Sequence, residues 1–166
     1  MRTTRIFGII AALILTFAAT GCDSLDDHRI PYASVYITFP TVAQWNVYGV
    51  SGALDWRRFI RSERIPGDFP YTAMTYTGYG GVLLVCDVLG NPLAYDLSCP
   101  VECSQNVRVE ISTSDNVAVC PKCGSKYNVF SLYGHPVSGP AADRGYGLTR
   151  YKVVPGREGT YLQITN

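Results

Sequence analysis

Residues 107–130, VRVEISTSDNVAVCPKCGSKYNVF, decide how this chain folds. Val107, Val109 and Ile111 alternate with Arg108 and Glu110, so one face is apolar and the other charged, which is the period-two pattern of a half-buried strand. The cluster TSDN at 113–116 turns the chain and VAVC at 117–120 brings it back. A hairpin therefore delivers Cys120, and Pro121, Lys122 and Cys123 follow at once. A redox C-x-x-C of the thioredoxin kind would open a helix at its first cysteine, whereas GSKYNVF reads as a turn and a strand.

The same pattern recurs on both sides. Val35, Ile37 and Phe39 alternate with polar or tyrosine neighbours until Pro40 ends the run. The apolar stretch Val82 to Cys86, the turn LGNP and the return LAYDL make another hairpin. After GPAADRG come LTRYKVV, the turn PGREG and TYLQIT. No long amphipathic helix interrupts these strands, so the expected fold is all-β, a small sandwich or barrel. One segment breaks the pattern. LDWRRFIRSERIPG at 54–67 reads as a short helix with Phe59 and Ile60 inward and Arg57, Arg58, Arg61 and Arg64 on a solvated face. The alternative is a basic patch facing anionic head groups or an acidic partner. GYGG at 78–81 lacks the helix of a dinucleotide fingerprint and reads as a tight turn.

At the amino terminus, Arg2 and Arg5 precede an uncharged, largely apolar run over 6–19, then Ala-Thr-Gly-Cys. That run suits a signal-peptide core and is short of the ~20 residues of a membrane span. The small residues before Cys22 resemble the lipobox of bacterial lipoproteins, which implies cleavage of residues 1–21 and acylation of Cys22. Residues 22–31 then form a lipidated tether, and 32–166 a single domain. Asp26 and Asp27 resemble the acidic export tag of Bacteroidetes surface lipoproteins. The resemblance implies a cell-envelope protein of the outer membrane, facing the periplasm or the surface and held to the membrane by its lipid.

Without residues 1–21 the chain carries twelve basic against thirteen acidic residues, a balance that offers no electrostatic case for nucleic acid. No nucleophile with a base, paired carboxylates or phosphate cradle stands out, so no catalytic residue is named and the balance leans away from an enzyme.

Cys86 sits inside an apolar strand and is most simply a small buried hydrophobe. The pairs Cys99/Cys103 and Cys120/Cys123, each with a proline after its first cysteine, have the form of two loops wrapping four thiolates around one site. C-P-x-C-G is a zinc-ribbon-type knuckle, and the C-x3-C half is looser. Disulfides remain the alternative, since an oxidising envelope permits them.

From Cys99 to Tyr151 the order of residues resembles the Rieske [2Fe–2S] domain, in which a C-x-H loop and a C-P-x-H-G-S-x-aromatic loop, reached through a β-hairpin, hold the cluster beneath a glycine-proline-alanine turn. Cys120, Pro121, Gly124, Ser125 and Tyr127 match the second loop, with Cys123 at the position of its histidine. Gly134, Pro136, Gly139, Pro140 and Ala141 follow at suitable distances. The resemblance covers about the last 85 residues. It departs in the first loop, where Cys99 falls on the ligand cysteine but Val101 replaces the histidine. Neither His28 nor His135 falls on a ligand position, and Lys122 stands where many members carry a disulfide cysteine. The resemblance thus implies a Rieske-like β-domain with its site rebuilt as Cys99, Cys103, Cys120 and Cys123. The resemblance favours an all-cysteine [2Fe–2S] cluster as the occupant, which would make it an electron-transfer module with an unknown redox partner, and the alternatives are zinc or disulfides. Zinc would make it a structural clamp, and disulfides without metal a stapled binding or interaction module of the envelope.

Overall fold

The computed structural model describes residues 25–157 and 159–166. The expected signal peptide and Cys22, the expected acylation site, lie outside the described residues.

The fold is all-β. Eleven strands form two antiparallel sheets: β1 (Val35–Phe39), β2 (Trp56–Phe59), β3 (Tyr76–Thr77), β4 (Val82–Cys86), β5 (Pro92–Asp96), β6 (Glu110–Ser112), β7 (Val117–Val119), β8 (Lys126–Asn128), β9 (His135–Ser138), β10 (Arg150–Pro155) and β11 (Leu162–Thr165). The larger sheet has the order β2-β4-β5-β10-β11-β1-β3, and the smaller runs β6-β7-β8-β9. The whole smaller sheet is inserted between β5 and β10, which are neighbours in the larger one. The larger sheet curls until its edges approach, with Arg61 N–H reaching Thr77 Oγ1 at 3.4 Å and the Arg61 guanidinium reaching Thr75 O at 2.9 Å. Two short helices, α1 (Val42–Tyr48) and α2 (Pro140–Arg144), accompany these strands among the described residues.

Strand β4 explains this layout. All five of its residues are buried, because it is sandwiched between two cores. Val82, Leu84 and Cys86 point into the curl of the larger sheet, among Ile37, Phe39, Phe59 and Phe69. Leu83 and Val85 point the other way, to Tyr95, Leu97, Val109, Tyr127 and Val129, where the smaller sheet packs. A strand covered on both faces reads as a continuous apolar run, not an alternation.

Residues 54–67 differ from the expected helix. Trp56–Phe59 pairs along β4, from Trp56 opposite Val85 to Phe59 opposite Val82, and buries Phe59 fully. Without it the backbone groups along that side of a fully buried strand would go unpaired, a larger cost than the modest helix preference of the arginines. A single 3-10 turn, Arg61–Glu63, follows. The arginines do not form one face: Arg57 binds Asp55 at 2.6 Å, while Arg61 holds Thr75 O.

The segment expected to be a tether is docked from Leu25 on. Asp26 N–H binds Gly145 O at 2.8 Å, Gly147 N–H binds Asp26 O at 2.9 Å, and Thr149 Oγ1 donates to Asp27 O at 2.6 Å. Ile30 is buried. Polar composition concealed this because the docking is made largely by backbone groups.

Where the two sheets meet, the fully buried carboxylate of Asp96 accepts from four groups. Tyr79 N–H (2.8 Å) and Gly80 N–H (3.0 Å) come from the turn before β4, Ser98 N–H (2.7 Å) from the first cysteine loop, and Tyr151 Oη (2.5 Å) from β10. Burial raises the pKa of this carboxyl, and the hydrogen bonds from Tyr151 and the three amides limit the rise. Because its folded pKa is raised, Asp96 favours the fold at acid pH, and that contribution is lost as pH rises through the raised value. Tyr151→Phe removes a donor to the ionised form and raises the pKa further. The variant is expected to lose about 1.5–3 kcal/mol at neutral pH and clearly less near the ordinary carboxylate pKa of ~4, measured by urea unfolding at both. Equal losses at both would contradict an ionised Asp96.

Candidate metal centre

The first cysteine loop leaves β5 through Ser98. Cys99 N–H binds Val107 O at 3.0 Å, and the amides of Glu102 and Cys103 fold back onto Cys99 O at 3.1 and 2.9 Å. The second loop closes on itself through Cys120 N–H to Ser125 O (2.9 Å) and Gly124 N–H to Cys120 O (3.0 Å). Gly124 takes φ +71 there, a left-handed geometry that glycine adopts without strain. The α2 turn covers this loop: Ala141 N–H donates to Ser125 Oγ at 3.1 Å, and a Cβ on Gly139 would stand 3.0 Å from Ser125 Cα.

These turns bring three sulfurs together. The Sγ atoms of Cys99, Cys120 and Cys123 all lie within 4.8 Å of one another, with Cys99 and Cys123 at 3.7 Å. Cys99 and Cys120 are fully buried and Cys123 is half-buried. Tyr127, also fully buried, sets its Oη 3.4 Å from Cys99 Sγ, and Ser125 Oγ lies 3.1 Å from Cys123 Sγ. Lys122 and Glu102, one from each loop, form an ion pair across the gap.

Burial pushes the Cys99 thiol up to about 12, against a smaller lowering from Tyr127 Oη. At Cys123 the effect of burial is outweighed by hydrogen bonds from Ser125 and from the neighbouring thiols, so that thiol falls below its ordinary value. Burial also raises the Tyr127 hydroxyl, and its bond to Cys99 raises it further. Without a cation, then, Cys99 stays a neutral thiol. A bound divalent ion would reverse this, since a coordinating thiol is deprotonated outright.

A tetrahedral ion with metal–sulfur bonds of ~2.3 Å sets its ligand sulfurs ~3.8 Å apart. The 3.7 Å between Cys99 and Cys123 matches that edge, and the wider limit of 4.8 Å needs only small side-chain adjustments. The three cysteines could hold a metal ion.

Cys103 is not brought to the site, contrary to the four-cysteine expectation. The turn over 99–103 leaves it at φ +47, and its thiol donates to Pro100 O at 3.2 Å and Arg29 O at 3.6 Å. The C-x3-C loop thus leaves its second sulfur bonded to carbonyls and not to the other thiols. Cys86 lies buried in β4, away from the cluster. His28 is exposed with its Nδ1 2.6 Å from Asp27, and His135 is exposed on β9. Neither reaches the thiols. Comparison with family models, with curated proteins and with solved structures returns no match, so the site is argued from its own geometry.

Sequence reasoning gave no role to Asp96, Ser125 or the Glu102–Lys122 pair. Opposite charges inside the two cysteine spacers were the available signal for that pair.

Two outcomes follow for metal-free protein. Ser125→Ala leaves the Ala141 N–H without its acceptor and should cost about 1–3 kcal/mol in urea unfolding. Brief alkylation under native conditions should mark the half-buried Cys103 and Cys123 before Cys99 and Cys120, read by peptide mass spectrometry. Early labelling of Cys99 would mean that the loops do not close as described.

Proposed function

We propose that this protein is a membrane-tethered envelope lipoprotein whose Rieske-like β-domain uses Cys99, Cys120 and Cys123 to hold a single thiophilic metal ion, zinc by its donor set. The observation that carries this is the mutual approach of three thiols to within 4.8 Å, one pair at 3.7 Å, supplied by two separate loops. Three thiolates suit a mononuclear tetrahedral ion and leave a fourth position for another ligand. The ion would tie the loops together and fix the surface they present, so the domain acts as a binding module in the envelope.

A two-iron cluster fits this arrangement less well. It needs two ligands on each iron, with sulfurs on opposite irons farther apart than one tetrahedral edge. Cys103, the fourth candidate, is turned toward Arg29 O. The electron-transfer reading keeps one supporting observation, the insertion of the loop-bearing sheet between β5 and β10 beneath the Gly139 to Ala141 turn, the order its Rieske resemblance implies.

Metal analysis of protein purified with and without oxygen separates these. The expected result is one zinc per chain and no visible absorption, with zinc lost in Cys99→Ser, Cys120→Ser and Cys123→Ser and kept in Cys103→Ser. Two irons with sulfide and a brown colour would replace the zinc reading with electron transfer. No metal together with oxidised cysteines would end both. The tether is tested separately. Cys22→Ala should move the protein from the membrane to the soluble fraction with its unfolding midpoint unchanged, because the acyl chains, at ~0.8 kcal/mol per buried CH2, act outside the core.

A further inference from the structure

Four large apolar side chains stand exposed on two neighbouring loops. Val88 and Leu89 sit in the β4–β5 turn at 54% and 81% exposure, and Leu132 and Tyr133 in the β8–β9 loop at 50% and 51%. The loops are joined where Val88 N–H binds Phe130 O at 3.1 Å. Solvent-exposed leucine at a loop tip adds nothing to the fold, and a cluster of four at one place marks a surface that meets something apolar.

The docked amino-terminal segment lies next to these loops. A Cβ on Gly147 would stand 2.9 Å from the Leu25 side chain, and Leu148 N–H binds Gly134 O at 3.1 Å at the end of the β8–β9 loop. Between the segment and that loop lies a groove of about 420 Å³ floored by β5 and β10, with Asp27 and His28 on one side and Tyr133 on the other. Arg150 and Lys152 also line it and are exposed; Arg150 reaches Asp27 at 3.3 Å. Apolar tips beside cations and a tyrosine are the composition of a surface at the lipid head-group level.

We infer that this face, with Leu89 and Leu132 at its tips and Arg150 and Lys152 in its groove, rests on an anionic bilayer. The inference depends on the reading of Cys22 as the acylated residue. Two residues, Asp23 and Ser24, lie between Cys22 and Leu25, which is fixed on Gly147, so over three chain steps the lipid is at most ~10 Å from that point. A domain on so short a lead cannot turn this face far from the membrane. The bilayer therefore meets the face before a soluble partner does. Leu89 and Leu132 enter the head-group region, and the two cations meet lipid phosphates.

The test places an added tryptophan in the full-length protein, isolated from membranes and reconstituted in vesicles of phosphatidylethanolamine and phosphatidylglycerol with brominated acyl chains. Leu89→Trp and Leu132→Trp report the face. Met74→Trp, 64% exposed just before the edge strand β3 and so across the curled sheet from the β5–β10 groove, is the reference. All three sites are exposed, and unchanged circular dichroism confirms folding. The expected result is that the tryptophans at 89 and 132 shift to the blue and lose most of their added emission, while that at 74 keeps its own. With Cys22 shown acylated by mass, unquenched emission at both tips overturns the face and leaves the anchor standing. Equal quenching at 74 overturns the orientation. Blue-shifted tips in detergent without lipid, together with a dimer in sedimentation, would assign the face to a second copy instead. An unacylated Cys22 removes the anchor and this inference with it.

Discussion

The structure depends on one buried carboxylate. Asp96 ends β5 at the point where the chain leaves the larger sheet for the smaller, and its oxygens bind the turn before β4, the start of the first cysteine loop and the β10 strand to which the chain returns. An amide could not replace it. Four donors converge on the two oxygens, and an asparagine would turn an NH2 toward at least one of them. Space is equally exacting. A Cβ on Gly80 would stand 2.6 Å from Ser98 N, and one on Gly78, at φ +74, would stand 2.4 Å from Tyr151 Oη. GYGG is therefore a turn that lets backbone amides reach a buried anion. The cost of burying the charge is partly offset by hydrogen bonds to it, each stronger than a neutral one.

The thiol cluster grows out of the core that Asp96 closes. Cys99 and Cys120 belong to the same buried set as Tyr95, Leu97, Val109 and Tyr127, so as neutral thiols they pack like small hydrophobic side chains. The loops consequently are ordered by apolar contact, which needs no ion, and a bound ion would add ligation, which needs three deprotonated sulfurs. Zinc fingers that lack such a core unfold without metal. Here the larger sheet carries its own core, with Phe39, Phe59 and Phe69 in edge-to-face contact at 5.1 to 6.0 Å, and Cys99, Cys120 and Cys123 belong to the other core. Metal is thus expected to act on the loops and leave the rest of the fold alone.

Much of this was legible in the sequence wherever one residue's pattern decided its environment. Alternation at Val35, Ile37 and Phe39, the unbroken run from Val82 to Cys86 and the turn at 113–116 correspond to β1, β4 and the β6–β7 connection. Three of the four named cysteines converge: CPxCG closes its own turn around Cys120 and Cys123, and the first loop folds Cys99 toward them. Two of the failures share a cause, which is that partners distant in sequence set the outcome; the third, at Cys103, is partly local. Trp56 to Phe59 became a strand because β4 offered an edge, not because of local spacing. Cys103 turned aside because Pro100 and Arg29 carbonyls were within reach. Residues 25–30 docked through backbone bonds to 145–149, which composition does not report.

That docking links the two ends of the argument. Arg29 places its guanidinium 4.5 Å over the Tyr146 ring, and its carbonyl accepts from the Cys103 thiol, so one residue touches both the segment after α2 and the first cysteine loop. Asp26 bonds to Gly145 and Gly147, on either side of Tyr146. The α2 turn in turn holds Ser125, which holds Cys123. The segment that leads toward Cys22 is therefore linked to the sulfur cluster through α2 and Ser125. An isolated contact of this kind is weak, but backbone bonds at 2.8 and 2.9 Å, a ring stacked under a cation and a buried Ile30 act on one short stretch together. A segment held in this way cannot serve as a slack leash. If Cys22 is acylated as proposed, this docking, more than the length of any tether, would set how the cysteine loops face the membrane.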